Sequence, residues 1–498
     1  MAKKNLSLRI LAVLLTVTMI VGLLPMSVFA AGNGRYTVEK ADGAPRYMNL
    51  KNEKAAAPAE APAFGPDDTV RVSIVLEKAS VLDAGYEADG IAFNKKAMNY
   101  RADVRAHQDA MSKTISAKAL GGRTLDVVWN LTLVADIISA NVKYGEIEAI
   151  RAIPGVADVF LENWYEADTA RREADQPQMS TATAMTGANL IWSDYTGAGS
   201  VIAIVDTGLD LDHKSFDGGA LEYAIEQSGK DVDLLTEEDI DAVWSSLNIA
   251  SRVSGSGADA YRNTKVPFAV NYVDRSFDAT HKNDRQGEHG SHVAGIAAAN
   301  RYVKENGAYT EALTSVLTQG EAPDAQLLIM KVFGKGEGAS DADYMVAIED
   351  AITIGADAVN LSLGSANPGY SFNTAYAAIL DKLAPENIVW ANSAGNSDYW
   401  PNSTYAGYLY ADDASMATGG SPGTYKNTLA VASVDNRGTT GEFFKVGDAA
   451  VFFNEGSSAQ NQPLTVGFRR TVGIIVVHQH NTIVGTVAKL CRTRGVVE

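Results

Sequence analysis

The chain carries an uninterrupted apolar run, Val201-Ile202-Ala203-Ile204-Val205, which ends abruptly in Asp206, Thr207 and Gly208. Five apolar residues in succession predict a strand that is buried on both faces, as strands of parallel sheets are. In open α/β sheets, ligands and reacting groups lie at the carboxyl ends of such strands. We therefore expect Asp206 to lie at the functional edge of a parallel sheet.

Beyond about residue 185, apolar runs alternate with amphipathic stretches. The runs predict strands, and the amphipathic stretches predict helices, one after His292 and one from Asp341 to Ile354. Strands and helices in alternation build βαβ units, so we predict an α/β domain with a mostly parallel sheet. Its strands are expected at 200–205, 326–332, 358–363, 388–391 and 429–434.

A different pattern occupies residues 67–168 and begins with an alternating strand, Val70–Leu76. The order of elements is βαββαβ, which packs as a small, ferredoxin-like α+β domain with its helices on one face. Its other strands are expected at 125–131, 137–142 and 156–161, and its helices at 100–119 and 145–152.

The N-terminus has the pattern of a signal peptide over residues 1–30. Three basic residues precede an apolar run from Ile10 to Leu24, and small residues follow up to Ala31. This predicts secretion with cleavage after Ala30; a membrane anchor is the alternative, and the short apolar run disfavours it. Residues 31–66, rich in Ala, Pro, Glu and Lys, predict a disordered linker. No other stretch reaches spanning length.

Composition narrows the class of partner. The chain has 498 residues, enough for two or three domains, and a formal net charge of -18. This charge argues against nucleic acid or an anionic membrane as a partner, because Lys and Arg drive such binding. Cys491 is the single cysteine, so no intrachain disulfide can form. Export without disulfides indicates a bacterial cell envelope or medium, and we interpret Cys491 as an incidental thiol.

Residues 217 to about 285 are rich in Asp and Glu, as in the stretch from Asp231 to Asp239. We expect an acidic surface insertion with a solvated face; a cation site is the alternative.

Three blocks carry the candidate chemistry: Val205-Asp206-Thr207-Gly208, residues 288–296 around His289, and residues 391–396 ending in Asn396. A serine protease needs a carboxylate that orients an imidazole, the imidazole itself, and a donor for the oxyanion. His289 is expected at a helix N-terminus, where two glycines of its block let the helix pack closely. His292 is an alternative base expected to point into the core, and both histidines lack further ligands for a metal site.

The residues of these blocks and their order along the chain resemble those of the subtilisin-like serine proteases, the peptidase S8 family. This resemblance implies a three-layer α/β fold, with Asp206 as the orienting acid, His289 as the general base and acid, and Asn396 as the oxyanion donor. The segment Ser362, Leu363 and Gly364 resembles the strand to which an extended peptide substrate adds. The resemblance implies that the chemistry requires no cofactor and that the substrates are proteins or peptides. It leaves undecided whether the fold binds a structural calcium ion.

Residues 320–333 and 420–424 look like large cell-envelope proteases of the lactocepin and C5a-peptidase type. Residues 146–156 resemble an inhibitor I9-type propeptide, which in that family assists folding and blocks the cleft as an intramolecular inhibitor until it is removed. We place the cut in the polar segment after Asp168, near Arg171-Arg172 or later.

The family's nucleophile block, Gly-Thr-Ser-x-Ala-x-Pro, is absent. Ser415 follows Asn396 too closely and precedes helix-breaking residues, and Ser458 is disfavoured as well, so no nucleophile is assigned. We expect an incomplete core over 169–440 and a tail over 441–498 that begins a protease-associated insertion. From about residue 468 the tail turns basic, and we hypothesise a shifted reading frame, which sequencing the locus tests. As printed, the chain is expected to be inactive; a peptide-binding pseudoprotease or an inhibitory module is the alternative.

Overall fold

The computed structural model describes residues 64–167 and 179–364, apart from positions 285, 317 and 336–337, and shorter pieces between 379 and 497. The predicted signal peptide and nearly all of the predicted linker fall outside the described residues. Among those residues, no helix combines the length and the hydrophobicity needed to cross a membrane.

A four-stranded antiparallel sheet and two helices form the first module, in the predicted βαββαβ order. Its strands pair in the order β2-β3-β1-β4, and its helices are α1 and α2. The first helix begins five residues before the predicted start, because the side chain of Asn94 caps it by accepting from the amides of Lys96 and Ala97. The bounds are β1 Thr69–Leu76, α1 Lys95–Lys118, β2 Asp126–Leu131, β3 Ile137–Lys143, α2 Ile147–Arg151 and β4 Val156–Leu161.

The second module is built on a six-stranded parallel sheet of order β15-β14-β12-β6-β10-β7, with the strand that ends in Asp206 inside it. The predicted fold class, α/β with a mostly parallel sheet, is confirmed. Its elements up to the sheet's second half are β5 Trp164–Ala167, α3 Met179–Thr186, β6 Val201–Asp206, α4 Gly218–Ser228, α5 Glu237–Trp244, α6 Gly257–Ala260, β7 Phe268–Asn271, α7 His289–Ala298, β8 Tyr302–Glu305 and β9 Ala308–Glu311. They continue with α8 Ala312–Ser315, β10 Gln326–Lys331, β11 Ala339–Ser340, α9 Asp341–Ile354, β12 Ala358–Leu361, β13 Leu363–Gly364, β14 Val389–Ser393 and β15 Leu429–Val431.

Strand β6 is buried on both faces, as its apolar run predicts. Val201, Ala203 and Val205 pack into the cluster that contains α9. Ile204 faces the opposite way, into a cluster with Ala294 and Ala298 of α7. Side chains alternate across a strand, so these contacts place a helix on each face of the sheet and give three layers.

Helix α9 departs from the amphipathic helix that its sequence predicts, because all of its residues are buried. Two of its carboxylates face the first module instead of solvent: Asp343 pairs with Arg71, and Glu349 pairs with Arg101. The sequence pattern around α9 gives no sign of these partners, which lie in a distant part of the chain.

The expectation of a solvated face over 217–285 is wrong in part. Strand β7 lies in this insertion and joins the edge of the main sheet as a fully buried strand. Ile240 and Val243, on one face of α5, also enter the core. The acidic residues 237–239 stay exposed in the first turn of α5, where negative charge is favourable beside the helix N-terminus.

Short antiparallel strands follow in the tail, in two sheets of order β17-β16-β21 and β18-β19-β20. The predicted domain boundaries, including the tail that begins at 441, stay predictions. The strands are β16 Thr439–Val446, β17 Ala449–Phe452, β18 Leu464–Val466, β19 Ile475–Val477, β20 Ile483–Val484 and β21 Arg492–Val497.

Candidate active site

The carboxylate of Asp206 lies at the carboxyl end of β6 and is almost wholly buried, with 1% of its surface exposed. Its Oδ1 accepts from the backbone amide of Thr207 at 2.6 Å and lies 2.8 Å from Nδ1 of His289. Beside a carboxylate acceptor, Nδ1 carries the ring proton, which leaves Nε2 as a proton acceptor. The structure therefore brings together the two side chains that the sequence blocks predict as partners.

The position of His289 follows from the start of α7. The amide of Gly290 donates to Oγ1 of Thr207 at 2.8 Å, which ties the helix to the loop after β6. A Cβ on Gly290 would overlap the carbonyl oxygen of Gly208 and lie 3.1 Å from Oδ1 of Asp206. Of the two glycines expected to allow close packing, only Gly290 does so, because a Cβ on Gly295 would meet nothing within 4 Å.

His292 does not point into the core, contrary to the prediction. Its side chain is exposed, whereas Gly290, Ala294 and Ala298 form the buried face of α7. Residues four apart share a helix face, and His292 lies halfway between two of them. In the described part of the chain, no group of three or more His, Cys, Asp or Glu side chains could hold a metal ion.

A buried lysine beside the Asp206 loop was missed at the level of sequence. Lys331, 1% exposed, ends β10 and lies in register with Asp206 on the neighbouring strand. Its Nζ donates to the carbonyl of Thr207 and pairs with the carboxylate of Asp284 at 2.7 Å. A lysine that ends an otherwise apolar buried strand was the available signal, since the carboxyl ends of parallel strands share one edge.

The predicted substrate strand, Ser362 to Gly364, is only partly a strand in the structure. Leu363 and Gly364 form β13 and pair antiparallel with Ala167 and Glu166 of β5. The hydroxyl of Ser362 donates instead to Oδ1 of Asn360 at 3.0 Å, and Ser362 lies between two strands.

Strand β5 is held on both sides. Its residues Trp164 and Tyr165 pair antiparallel with Ser340 and Ala339 of β11, while its other end pairs with β13. Strand β5 is therefore the middle strand of a three-stranded sheet. It pairs with β13, the strand predicted to bind an extended peptide.

Three further predicted positions, Asn396, Ser415 and Ser458, lie outside the described residues, as does Cys491. Their roles stay predictions from sequence.

Sequence comparison with known proteins finds relatives that are named as proteases. A PIII-type proteinase of Lactococcus lactis subsp. cremoris (strain SK11) is 29% identical over 373 residues, which cover 72% of this chain and 17% of the relative. The minor extracellular protease Vpr of Bacillus subtilis (strain 168) is 28% identical over 330 residues, 63% of this chain and 30% of that protein. A C5a peptidase of Streptococcus pyogenes is 29% identical over 239 residues, 48% of this chain and 18% of that protein. The chain thus spans 17% of the length of the first of these relatives.

Among solved structures, the epidermin leader peptide processing serine protease of Staphylococcus aureus is 15% identical, covers 74% of this chain and 70% of its own, and has a TM-score of 0.41. The family model of the Subtilase family matches residues 197–468, more than half of the chain. The chain belongs to the Subtilase family, the subtilisin-like serine proteases.

Proposed function

We propose that this chain is part of a secreted serine endopeptidase precursor that hydrolyses peptide bonds through Asp206, His289 and a serine. The observation that carries the proposal is the 2.8 Å contact between Oδ1 of Asp206 and Nδ1 of His289 at the carboxyl end of β6. In this role Nε2 of His289 removes the proton of the serine hydroxyl and later returns it to the leaving amine. Asp206 holds the imidazole in the required tautomer and stabilises its protonated form, and Asn396 donates to the oxyanion.

The first module acts in this proposal as an intramolecular inhibitor. An extended substrate would add as a strand to Leu363 and Gly364, because backbone pairing is the general way in which proteins bind extended peptides. Residues 164–167, which follow the module directly, already pair with that edge. Their antiparallel position between β11 and β13 supports a role in blocking the substrate strand.

We further propose that the printed chain alone forms no acyl-enzyme. It contains no Gly-Thr-Ser-x-Ala-x-Pro block, and covalent catalysis requires that nucleophile. A fluorophosphonate probe is expected to leave the purified chain unlabelled. Labelling that disappears in Ser415→Ala or Ser458→Ala would contradict this part of the proposal.

The catalytic roles are tested in a longer chain that continues through a nucleophile block. Such a chain is expected to hydrolyse a denatured protein, and His289→Ala or Asp206→Asn should lower kcat by about 10⁴-fold or more. The exposed His292→Ala is the matched control and should retain most of the activity. Full activity of His289→Ala, or its loss in His292→Ala alone, would refute the assignment; peptide binding without hydrolysis would favour the pseudoprotease alternative.

Secretion has its own test. Expression in a bacterium is expected to release protein whose first residue is Ala31, after signal peptidase cleavage at Ala30. An exported or retained protein that begins at Met1 would contradict it.

A further inference from the structure

Trp129 of the first module contacts several side chains of the second. It lies on β2, the edge strand of the small sheet, just after a register shift between Val127 and Trp129. Bulges of this kind change the direction in which a side chain points. The indole is 2% exposed, and its Nε1 donates to the carboxylate of Asp343, on α9, at 2.8 Å.

Two guanidinium groups lie over the same indole. The Cζ atoms of Arg252 and Arg275 are 5.5 Å and 5.4 Å from the ring centroid, within the range of cation–π attraction. Both arginines also donate to backbone carbonyls of the indole's own strand, those of Val127 and Val128. The ring of Tyr272 completes the surroundings, with its centroid 6.2 Å from that of Trp129.

The two arginines differ in exposure, because Arg252 is half-buried and Arg275 is exposed. Neither forms an ion pair with a carboxylate within the part of the chain that the structure describes. The pKa of Arg252 is lowered to about 10 by burial and by the positive charges of Arg275 and Arg105. The electron-rich face of the indole attracts both guanidinium groups.

The side chains of Arg252, Tyr272 and Arg275 all come from the acidic insertion at 217–285. Tyr272 follows β7 directly, and Arg275 adopts a left-handed backbone conformation, with φ of 52°, in the turn that closes at Ser276. Non-glycine residues adopt this conformation rarely, so the turn holds Arg275 at a specific place. We call Arg252, Tyr272, Arg275 and Asp343 the indole socket.

We propose that the insertion is a recognition element for the first module, and that the indole socket selects a tryptophan at position 129. The socket contacts three properties of an indole: its electron-rich face, its flat apolar area, and its N–H donor. Phenylalanine offers the face without the donor, and an aliphatic side chain offers neither. The inference rests on the proposed role of the first module as a propeptide, and it adds the feature by which the second module distinguishes its own propeptide from others.

The test uses the full chain with a recognition sequence for a site-specific protease inserted between residues 168 and 178. After cleavage, the affinity between the two pieces is measured by competition with a labelled N-terminal piece released from the same protein. Arg275→Met keeps the apolar contact without the charge, and Arg275→Lys keeps the charge. Arg123→Ala is the matched control, because among the described residues Arg123 forms its ion pair with Glu146, inside the first module.

Arg275→Met, Arg252→Met and their combination are expected to weaken association, each single change by about 3- to 30-fold, while Arg275→Lys and Arg123→Ala stay within about threefold of wild type. Trp129→Phe should weaken association by about 10- to 100-fold, because the carboxylate of Asp343 loses a buried donor. Wild-type affinity in the Arg252→Met/Arg275→Met double variant would overturn the inference, even if Trp129→Phe fails to fold. Separation of the wild-type pieces at micromolar concentration would instead contradict the propeptide role, and hydrolysis by a longer chain is unaffected by either result.

Discussion

Gly290 lies directly against Gly208, so that a Cβ on Gly290 would overlap the Gly208 carbonyl oxygen and lie 2.9 Å from its nitrogen. Both atoms that it would meet belong to backbone and cannot move aside as a side chain would. The same contact sets the distance between the loop after β6 and the start of α7. The 2.8 Å separation of Asp206 and His289 therefore depends on the absence of a side chain at Gly290.

Gly290→Ala is expected to lower the thermal midpoint of the full chain, with a cost of about 2 kcal/mol or more from overpacking. Gly295→Ala, in the same helix, is the control, because a Cβ there would meet nothing within 4 Å. It should raise the midpoint slightly, since alanine favours helix by up to about 1 kcal/mol over glycine. Equal midpoints for the two variants would show that the close approach is unimportant.

Glu349 of α9 forms hydrogen bonds with the loop between β2 and β3 of the first module. Its carboxylate accepts from the amides of Thr132, Leu133 and Val134, with distances of 2.7 to 3.2 Å, and pairs with Arg101 at 3.4 Å. Glu349→Ala would leave buried donors and a buried charge without a partner, which costs about 3–5 kcal/mol. We expect a lower thermal midpoint and faster hydrogen exchange at residues 132–134.

Glu349→Gln keeps an oxygen acceptor, so it should fall between wild type and Glu349→Ala. Glu226→Ala, at an exposed position of α4, is expected to leave both measurements nearly unchanged. Unchanged exchange at 132–134 in Glu349→Ala would disprove the role of this carboxylate.

The buried pair of Lys331 and Asp284 supports the loop that carries Asp206. Removing one partner leaves the other charge buried, so Lys331→Met or Asp284→Asn alone should each destabilise the protein by about 3–5 kcal/mol in denaturant titrations. The double variant should lose less than the sum of the two by at least about 1 kcal/mol, because the groups interact directly. Simple additivity would argue against the pair. Lys282→Met breaks an exposed pair with Asp212 and should have little effect.

Asp136 makes the first module sensitive to pH. Burial raises the pKa of Asp136 to about 7, against the opposing hydrogen bond from Gln108. Its Oδ2 has no hydrogen-bond partner within the described residues and lies 3.6 Å from Nδ1 of His107. A proton on this oxygen would remove the buried negative charge of the carboxylate.

The folded protein holds this proton up to about pH 7, whereas the unfolded chain releases it near pH 4, so the folded state binds more protons between these values. Stability from this group is present below about pH 4 and declines as the pH rises to about 7, by at most about 4 kcal/mol. Asp136→Asn should flatten the dependence of the thermal midpoint on pH between 4 and 7. A variant whose slope equals that of wild type would contradict the assignment.

Five of the six strands of the main sheet and the pairing of Asp206 with His289 could be predicted because each rests on a local pattern. An apolar run specifies a buried strand by itself, and a chemically unusual residue after it marks the edge where strands end. The start of α7 at His289 could be expected for the same reason.

The remaining polar contacts could not be predicted in this way. Trp129 meets Asp343, and Glu349 meets the loop before β3, although in each case the partners are far apart in sequence. A buried carboxylate has the same sequence pattern as a solvated one, and only the partner across the interface distinguishes them. The insertion was misread for this reason: its acidic residues are exposed, but its apolar positions belong to a strand and a helix of the core.

The position of β6 inside the sheet has a consequence for synthesis on the ribosome. Its two neighbours, β10 and β12, both come later in the chain, whereas every strand of the small sheet is complete by Leu161. A nascent chain thus exposes the unpaired apolar run at 201–205 while more than a hundred residues remain to be translated. Unpaired strands of this kind invite aggregation, so the speed of translation between β6 and β12 should affect the yield of native protein.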